Sequence, residues 1–171
     1  MLSLLFSEYR PYIQDGIAVA VCVAAFLWGR GPEKIIAVTW FILFKIVAVI
    51  YLEVFRTLPD LEEIDLGLAA IDLCAVLIFV AVALNANRNY PLWIAAMQVL
   101  VMIAHVARGM IEVISPLSYA TMVVAPSWIQ LAVLGAGIFR HRRREKAFGP
   151  YREWRVPVRF GGLLAKTDGH V

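Results

Sequence analysis

The stretch "MQVLVMIAHVARGMIEVI" (97–114) is apolar enough to cross a bilayer, yet it carries a histidine, an arginine and a glutamate. Gln98, His105 and Glu112 are spaced by seven, so each returns to within about 20° of the last around a helix, and Arg108 lies one turn from both His105 and Glu112. All four fall within an arc of about 80°. The opposite face, with Trp93, Leu100, Ile103, Val106 and Ile114, is apolar. A single polar stripe of this kind is expected to turn toward protein or water and away from lipid.

Other apolar stretches also carry charge. Lys45 stands near the middle of "IIAVTWFILFKIVAVIYLEVF" with Glu53 near its end, Asp72 lies about two turns into "LGLAAIDLCAVLIFVAVALN" on the same face as Asp65, and Asp15 opens "PYIQDGIAVAVCVAAFLWG". A charge at mid-span costs on the order of 2.5–3.5 kcal/mol on insertion scales unless it is paired, hydrated or able to snorkel. Lys45, Asp72, Gln98, His105, Arg108 and Glu112 are therefore the candidate intramembrane polar site, with Lys45, Asp72, His105 and Arg108 at its floor and Glu112 and Glu53 near its mouth. Two readings stay open. In one, Lys45 and Asp72 form an ion pair that fixes helix register while Arg108 and Glu112 snorkel. In the other, the groups hold a ligand, an ion or a proton.

Catalytic chemistry finds no constellation. There is no H-E-x-x-H, no G-x-S-x-G and no nucleophile beside a base, so no catalytic residue is assigned. Cys22 and Cys74 sit inside apolar runs without a C-x-x-C or Cys/His cluster, which reads as packing and not as a metal or disulfide site. No cofactor is expected. His105 is the one imidazole within a span, since His141 is in the basic stretch and His170 at the terminus, so haem or quinone contact through His105 would need a second chain or partner.

These side chains need helices to position them. With 61% hydrophobic and 17% charged residues among 171, and a mean hydropathy of +0.76, the chain reads as an integral membrane protein. Five apolar runs approach the ~20 residues needed to cross ~30 Å of hydrocarbon, at 11–29, 35–55, 66–85, 92–114 and 117–139. The expected fold is an all-α bundle of five membrane-spanning helices over 1–140, with Ser115-Pro116 breaking the last two apart, followed by a basic, aromatic tail over 141–171.

Charge placement sets the orientation. Of the sixteen Lys and Arg, twelve fall on the side of the tail and two, Arg10 and Arg56, on the other. By the positive-inside rule the C-terminus is cytoplasmic and the N-terminus outside, in a membrane of bacterial inner-membrane type. A four-span arrangement lacking 11–29, the segment weakened by Asp15, would place both termini inside. The opening residues lack a basic n-region, and no removable signal peptide is expected.

The helix of the last span is expected to run on through "RHRRREKAF" to Gly149-Pro150. Arg140, Arg142, Arg143, Arg144, Lys146 and Trp154 are the expected membrane-surface anchors, suited to anionic headgroups. Flanks of this kind usually fix topology, so nucleic acid is not an expected partner.

The tail "REKAFGPYREWRVPVRF" resembles the end of the isoprenylcysteine carboxyl methyltransferase family, through Phe148, Gly149, Tyr151, Trp154, Val156 or Val158, and Arg159. The resemblance covers about 15 residues of the 171 and implies a membrane enzyme that uses S-adenosylmethionine. The family's Arg-His-Pro element would correspond to "RNYP" (Arg88–Pro91), which has no histidine, and its paired acids to Glu145 alone.

The residues lead to a small non-enzymatic integral membrane protein, an accessory or assembly subunit of a larger membrane complex or an oligomer, with an outward-facing polar site. Small residues such as Ala69, Ala70, Ala95, Ala96, Gly135 and Gly137 favour close helix contacts, and the expected partners are the lipid bilayer and another membrane protein or a second copy. A small transporter or an ion- or proton-conducting protein is the alternative from another class. A divergent methyltransferase is the third.

Overall fold

The computed structural model describes residues 10–55, 65–110, 115–149 and 152–155, and these are almost entirely helical. Helix α1 is Arg10–Trp28, α2 is Gly31–Phe55, α3 is Leu66–Asn85, α4 is Tyr90–Met110 and α5 is Pro116–Phe148. Four of them, α2 to α5, are long and apolar enough to cross a membrane, whereas the apolar part of α1, Tyr12–Trp28, is shorter. Helices of this number and length make the protein a multi-pass, all-helical membrane protein. Helix α2 starts four residues before the expected span, and α5 runs nine beyond the expected end at 139. Residues 111–114, with Glu112, lie outside the described residues.

Local chemistry explains the boundaries. Asp65 caps α3 by accepting from the amides of Gly67 and Leu68, and Ser115 caps α5 by accepting from that of Ser118, with Pro116 in the first turn where its missing N–H is harmless. Glu33 reaches back to the Arg30 amide at the start of α2. At its far end α5 stops on Gly149, whose φ of +78° is the left-handed conformation that glycine adopts without penalty. Pro126 sits inside α5, and its neighbour Ser127 bonds the Val124 carbonyl. Between Ile42 and Val47 the α2 backbone loosens into a π turn around Lys45.

The hairpins α3–α4 and α4–α5 make the most extensive contacts, and α1 packs on α2 and α5. Their core alternates small residues (Ala18, Ala25, Ala37, Ala75, Ala83, Ala95) with large ones (Trp40, Phe79, Ile36, Ile94, Leu131, Leu134, Ile138). Small side chains let helix backbones approach closely without a hydrophobic drive between helices. Gly137 is such a point: a Cβ there would stand 2.9 Å from the Tyr90 ring.

Helix α5 has 33 residues, about 50 Å at 1.5 Å per residue, so its last turns extend past a ~30 Å hydrocarbon layer. That extension carries Arg140, Arg142, Arg143, Arg144 and Lys146, all exposed, with Glu145 half-buried among them. The chain then returns. Trp154 pairs with Ala86 in an isolated bridge, the Arg155 amide donates to Asn85 at 2.8 Å, and the Asn87 amide donates to Glu153 at 3.0 Å. Trp154 is half-buried against the α3–α4 loop beside Gly31, and the backbone hydrogen bonds of Arg155 and Asn87 hold it there.

Candidate functional site: a hydrogen-bond chain through the helix core

Two features of the helix period build the site. On α4, Gln98 and His105 are one heptad apart on one face, about 10 Å along the axis; on α5, Tyr119 and Gln130 are eleven residues apart, three turns, and also share a face. Antiparallel packing of α4 on α5 brings these faces together, and α3 places Asp72 against the same stripe.

The result is a continuous chain. Trp40 on α2 donates its indole N–H to Gln130 Oε1 at 3.2 Å, Gln130 Nε2 donates to Gln98 Oε1 at 2.7 Å, and Gln98 Nε2 donates to Asp72 Oδ1 at 2.6 Å. The other carboxylate oxygen, Oδ2, is 2.8 Å from His105 Nε2, and His105 Nδ1 is 2.8 Å from the Tyr119 hydroxyl. Gln98, His105 and Gln130 are at most 3% exposed and Asp72 is 8% exposed. With Asp72 ionised, Nε2 carries the imidazole proton and Nδ1 accepts from Tyr119, so every donor in the chain points toward Asp72. Arg108 lies beyond Tyr119, its guanidinium carbon 5.9 Å from the ring centroid.

The two arms differ chemically. Amide and indole N–H groups are fixed dipoles that stabilise negative charge on Asp72. Tyr119, His105 and Asp72 instead link a hydroxyl, an imidazole and a carboxylate in series. Below Trp40 and Gln130 the core is apolar, with Ile36, Ala37, Phe79, Ala83, Ile94 and Leu134, so the chain runs from the Asp65 end to about mid-bundle and stops. Both ring nitrogens of His105 are engaged, and binding a haem iron would break one of those bonds. Among the described residues no group of three His, Cys, Asp or Glu could hold a metal ion.

Lys45 is placed elsewhere. It pairs with Asp15 of α1, not with Asp72, on the flank formed by α1 and α2. Side-chain exposures there are 24% for Lys45 and 47% for Asp15. Asp72, Gln98 and His105 are thus brought together, Arg108 is at the chain's edge, Lys45 is on another surface, and Glu112 is outside the described residues. Glu53 is exposed near the end of α2. Trp40, Tyr119 and Gln130, none of them among the expected site residues, complete the chain. The signal for two of them is the eleven-residue spacing of Tyr119 and Gln130.

A second polar cluster closes the opposite end of the bundle. Glu33, fully buried, pairs with Arg88, 9% exposed, between α2 and the α3–α4 loop. Arg30 bridges Glu145 of α5 and Glu153 of the returning segment, the latter at 3.3 Å, and the Gly31 amide donates to Glu153 at 3.0 Å. The hydrogen bond from Arg30 holds the Glu145 carboxyl below its usual range. Burial, and then the charge of Arg88, push the His141 imidazole below its ordinary value. Arg142 stacks over Trp28 at 4.3 Å.

No family model matches the chain, and no curated protein or solved structure matches it.

Proposed function

We propose that the protein is a non-enzymatic membrane subunit whose α1–α2 flank docks against another membrane protein or a second copy of itself. The carrying observation is the Asp15–Lys45 pair. Lys45 lies 14 residues into α2, about 21 Å from its start and near the middle of a ~30 Å hydrocarbon layer, yet nearly half of the Asp15 side chain is open on the outside of the bundle. Charged groups at such depth face protein or water, and a half-open carboxylate toward lipid is costly. From Ile42 to Phe55 α2 buries no side chain, so the surface around the pair is free to receive a partner helix. In this reading all five helices cross, the basic end with Arg88 and the α5 extension lies in the cytoplasm, and the Asp65 end faces outward.

Mass measurement in mild detergent or native nanodiscs tests it. The parent protein is expected as an oligomer or a larger complex, and the double variant Asp15→Leu/Lys45→Leu, which keeps the flank apolar, as a smaller particle. Recovery of the parent as a lone monomer overturns the proposal.

A proton-handling role is favoured by one separate observation, the serial contact of Tyr119, His105 and Asp72. The apolar layer below Trp40 argues against passage across the whole bilayer and for a one-sided site. Proteoliposomes loaded with a pH-sensitive dye decide the matter. Proton flux that disappears in Asp72→Asn supports conduction, and a parent protein without flux ends that reading.

A further inference from the structure

The surface of α3 beside the returning segment carries a feature that neither the flank nor the core chain uses. An open groove of about 460 Å³ is lined by Leu77, Ile78, Ala81, Val82 and Asn85 and is closed at one end by Trp154. It follows the last two turns of α3, so its apolar length lies within the hydrocarbon layer and its closed end at the membrane boundary, where tryptophan sits favourably.

Arg155 stands at that closed end. Its amide donates to the Asn85 carbonyl and its Nε donates to the Ala86 carbonyl at 3.0 Å, which fixes the guanidinium beside the groove while the residue stays exposed. A guanidinium held through Nε still presents its two terminal nitrogens as a rigid fork, the geometry that suits a phosphate. Arg152 is exposed two residues from Trp154 on the same returning segment, its carbonyl held by the Asn87 side chain. Apolar trough, aromatic stop and pinned cation occur in the order in which a phospholipid presents acyl chain, glycerol and phosphate.

We propose that this groove binds one phospholipid with an anionic headgroup, its acyl chain along Leu77, Ile78 and Ala81 and its phosphate on Arg155. The returning segment then serves to hold Trp154 and Arg155 at the mouth. The acyl groove and the pinned arginine act together, so neither charge alone nor chain length alone suffices.

Native mass spectrometry of the full chain from nanodiscs containing phosphatidylcholine with a minority of phosphatidylglycerol tests this. The parent protein retains one phosphatidylglycerol in preference to phosphatidylcholine. Arg155→Gln lowers that preference about fivefold, the weight of one arginine near a membrane surface, and Arg155→Lys keeps part of it. Ala81→Leu fills the groove without touching the headgroup contact and lowers retention of both lipids. Arg143→Gln, an exposed charge over Phe139 that does not line the groove, lowers the preference less than Arg155→Gln. Equal loss in Arg143→Gln and Arg155→Gln would mean diffuse surface charge only and overturns the proposal, as does unchanged retention in Ala81→Leu.

Discussion

Asp72 and Glu33 are both buried carboxylates on helices of the bundle, and they are satisfied by opposite means. Glu33 faces the guanidinium of Arg88 and the Arg30 amide, so charge meets charge in a closed arrangement. Asp72 accepts from a neutral amide and faces an imidazole that is itself held by a tyrosine hydroxyl. The first arrangement is closed by opposite charges. The second is a relay of hydrogen bonds from four helices. The end of the bundle that carries Glu33 and the returning segment therefore reads as a lock, and the end that carries Asp72 as a polar seam between helices.

The largest expected effect lies in the lock. Arg88→Met leaves Glu33 charged and buried without its partner, a loss of about 3–5 kcal/mol. Thermal unfolding in nanodiscs, followed by circular dichroism, measures it. The double variant Glu33→Gln/Arg88→Met removes both charges and is expected to recover most of that loss, because a buried pair is far costlier to break than to replace. If the double variant were as unstable as the single one, the pair would be contributing more than mutual neutralisation, and the contrast with Asp72 would fail.

Substitutions in the core chain are expected to cost less and to show a graded order. Asp72→Leu deprives the Gln98 amide and His105 Nε2 of their acceptor, at about 1–3 kcal/mol for each stranded buried donor, offset in part because the buried carboxylate is removed as well. Asp72→Asn keeps one acceptor oxygen and falls below that. Tyr119→Phe removes a single hydroxyl from Nδ1, about 1 kcal/mol. Unfolding midpoints ordered in any other way would show that the chain is not held through Asp72.

Much of the core chain is legible in the sequence, and the reason is the helix period. The seven-residue spacing of Gln98 and His105 puts them on one stripe, and Asp72 belongs to the neighbouring antiparallel span, so the heart of the site follows from arithmetic. The partner of Lys45 does not. Lys45 has carboxylates on several helices, and the choice of Asp15 depends on the side of α2 that faces α1, which the apolar residues on all sides of Lys45 do not encode. The Glu33–Arg88 pair is hidden for a related reason. Both residues look like loop charges at a cytoplasmic boundary, and only the docking of 152–155 onto the α3–α4 loop closes that end over them. Long apolar runs announce helices clearly, but loops and their covering segments leave no periodic trace.

The smallest effect concerns acid. His141 is exchangeable between a neutral form that suits its buried place and a charged form that does not, and burial followed by the Arg88 charge lowers its pKa from the ordinary 6.5. The unfolded or undocked chain therefore binds more protons than the docked one as pH falls below 6.5, so this part of the stability is present above that value and is lost on descent toward the lower, docked value. Glu145, lowered from 4.5 by its hydrogen bond from Arg30, acts in the same direction at more acid pH. Both groups belong to α5 where it passes the membrane boundary, and Glu145 holds Arg30, which in turn holds Glu153 of the returning segment. Acidification should then loosen the segment before it unfolds the helices. Hydrogen exchange at the Asn87 and Arg155 amides, which bond across that contact, reads the loosening directly. Protection at both is expected to fall as pH drops below about 6.5, after correction for the intrinsic exchange rate. In His141→Gln this first step should vanish and the Glu145 step remain. Protection that stays level through both ranges would show that the segment is held by its backbone bonds alone, and the lock would then owe nothing to the charges that surround it.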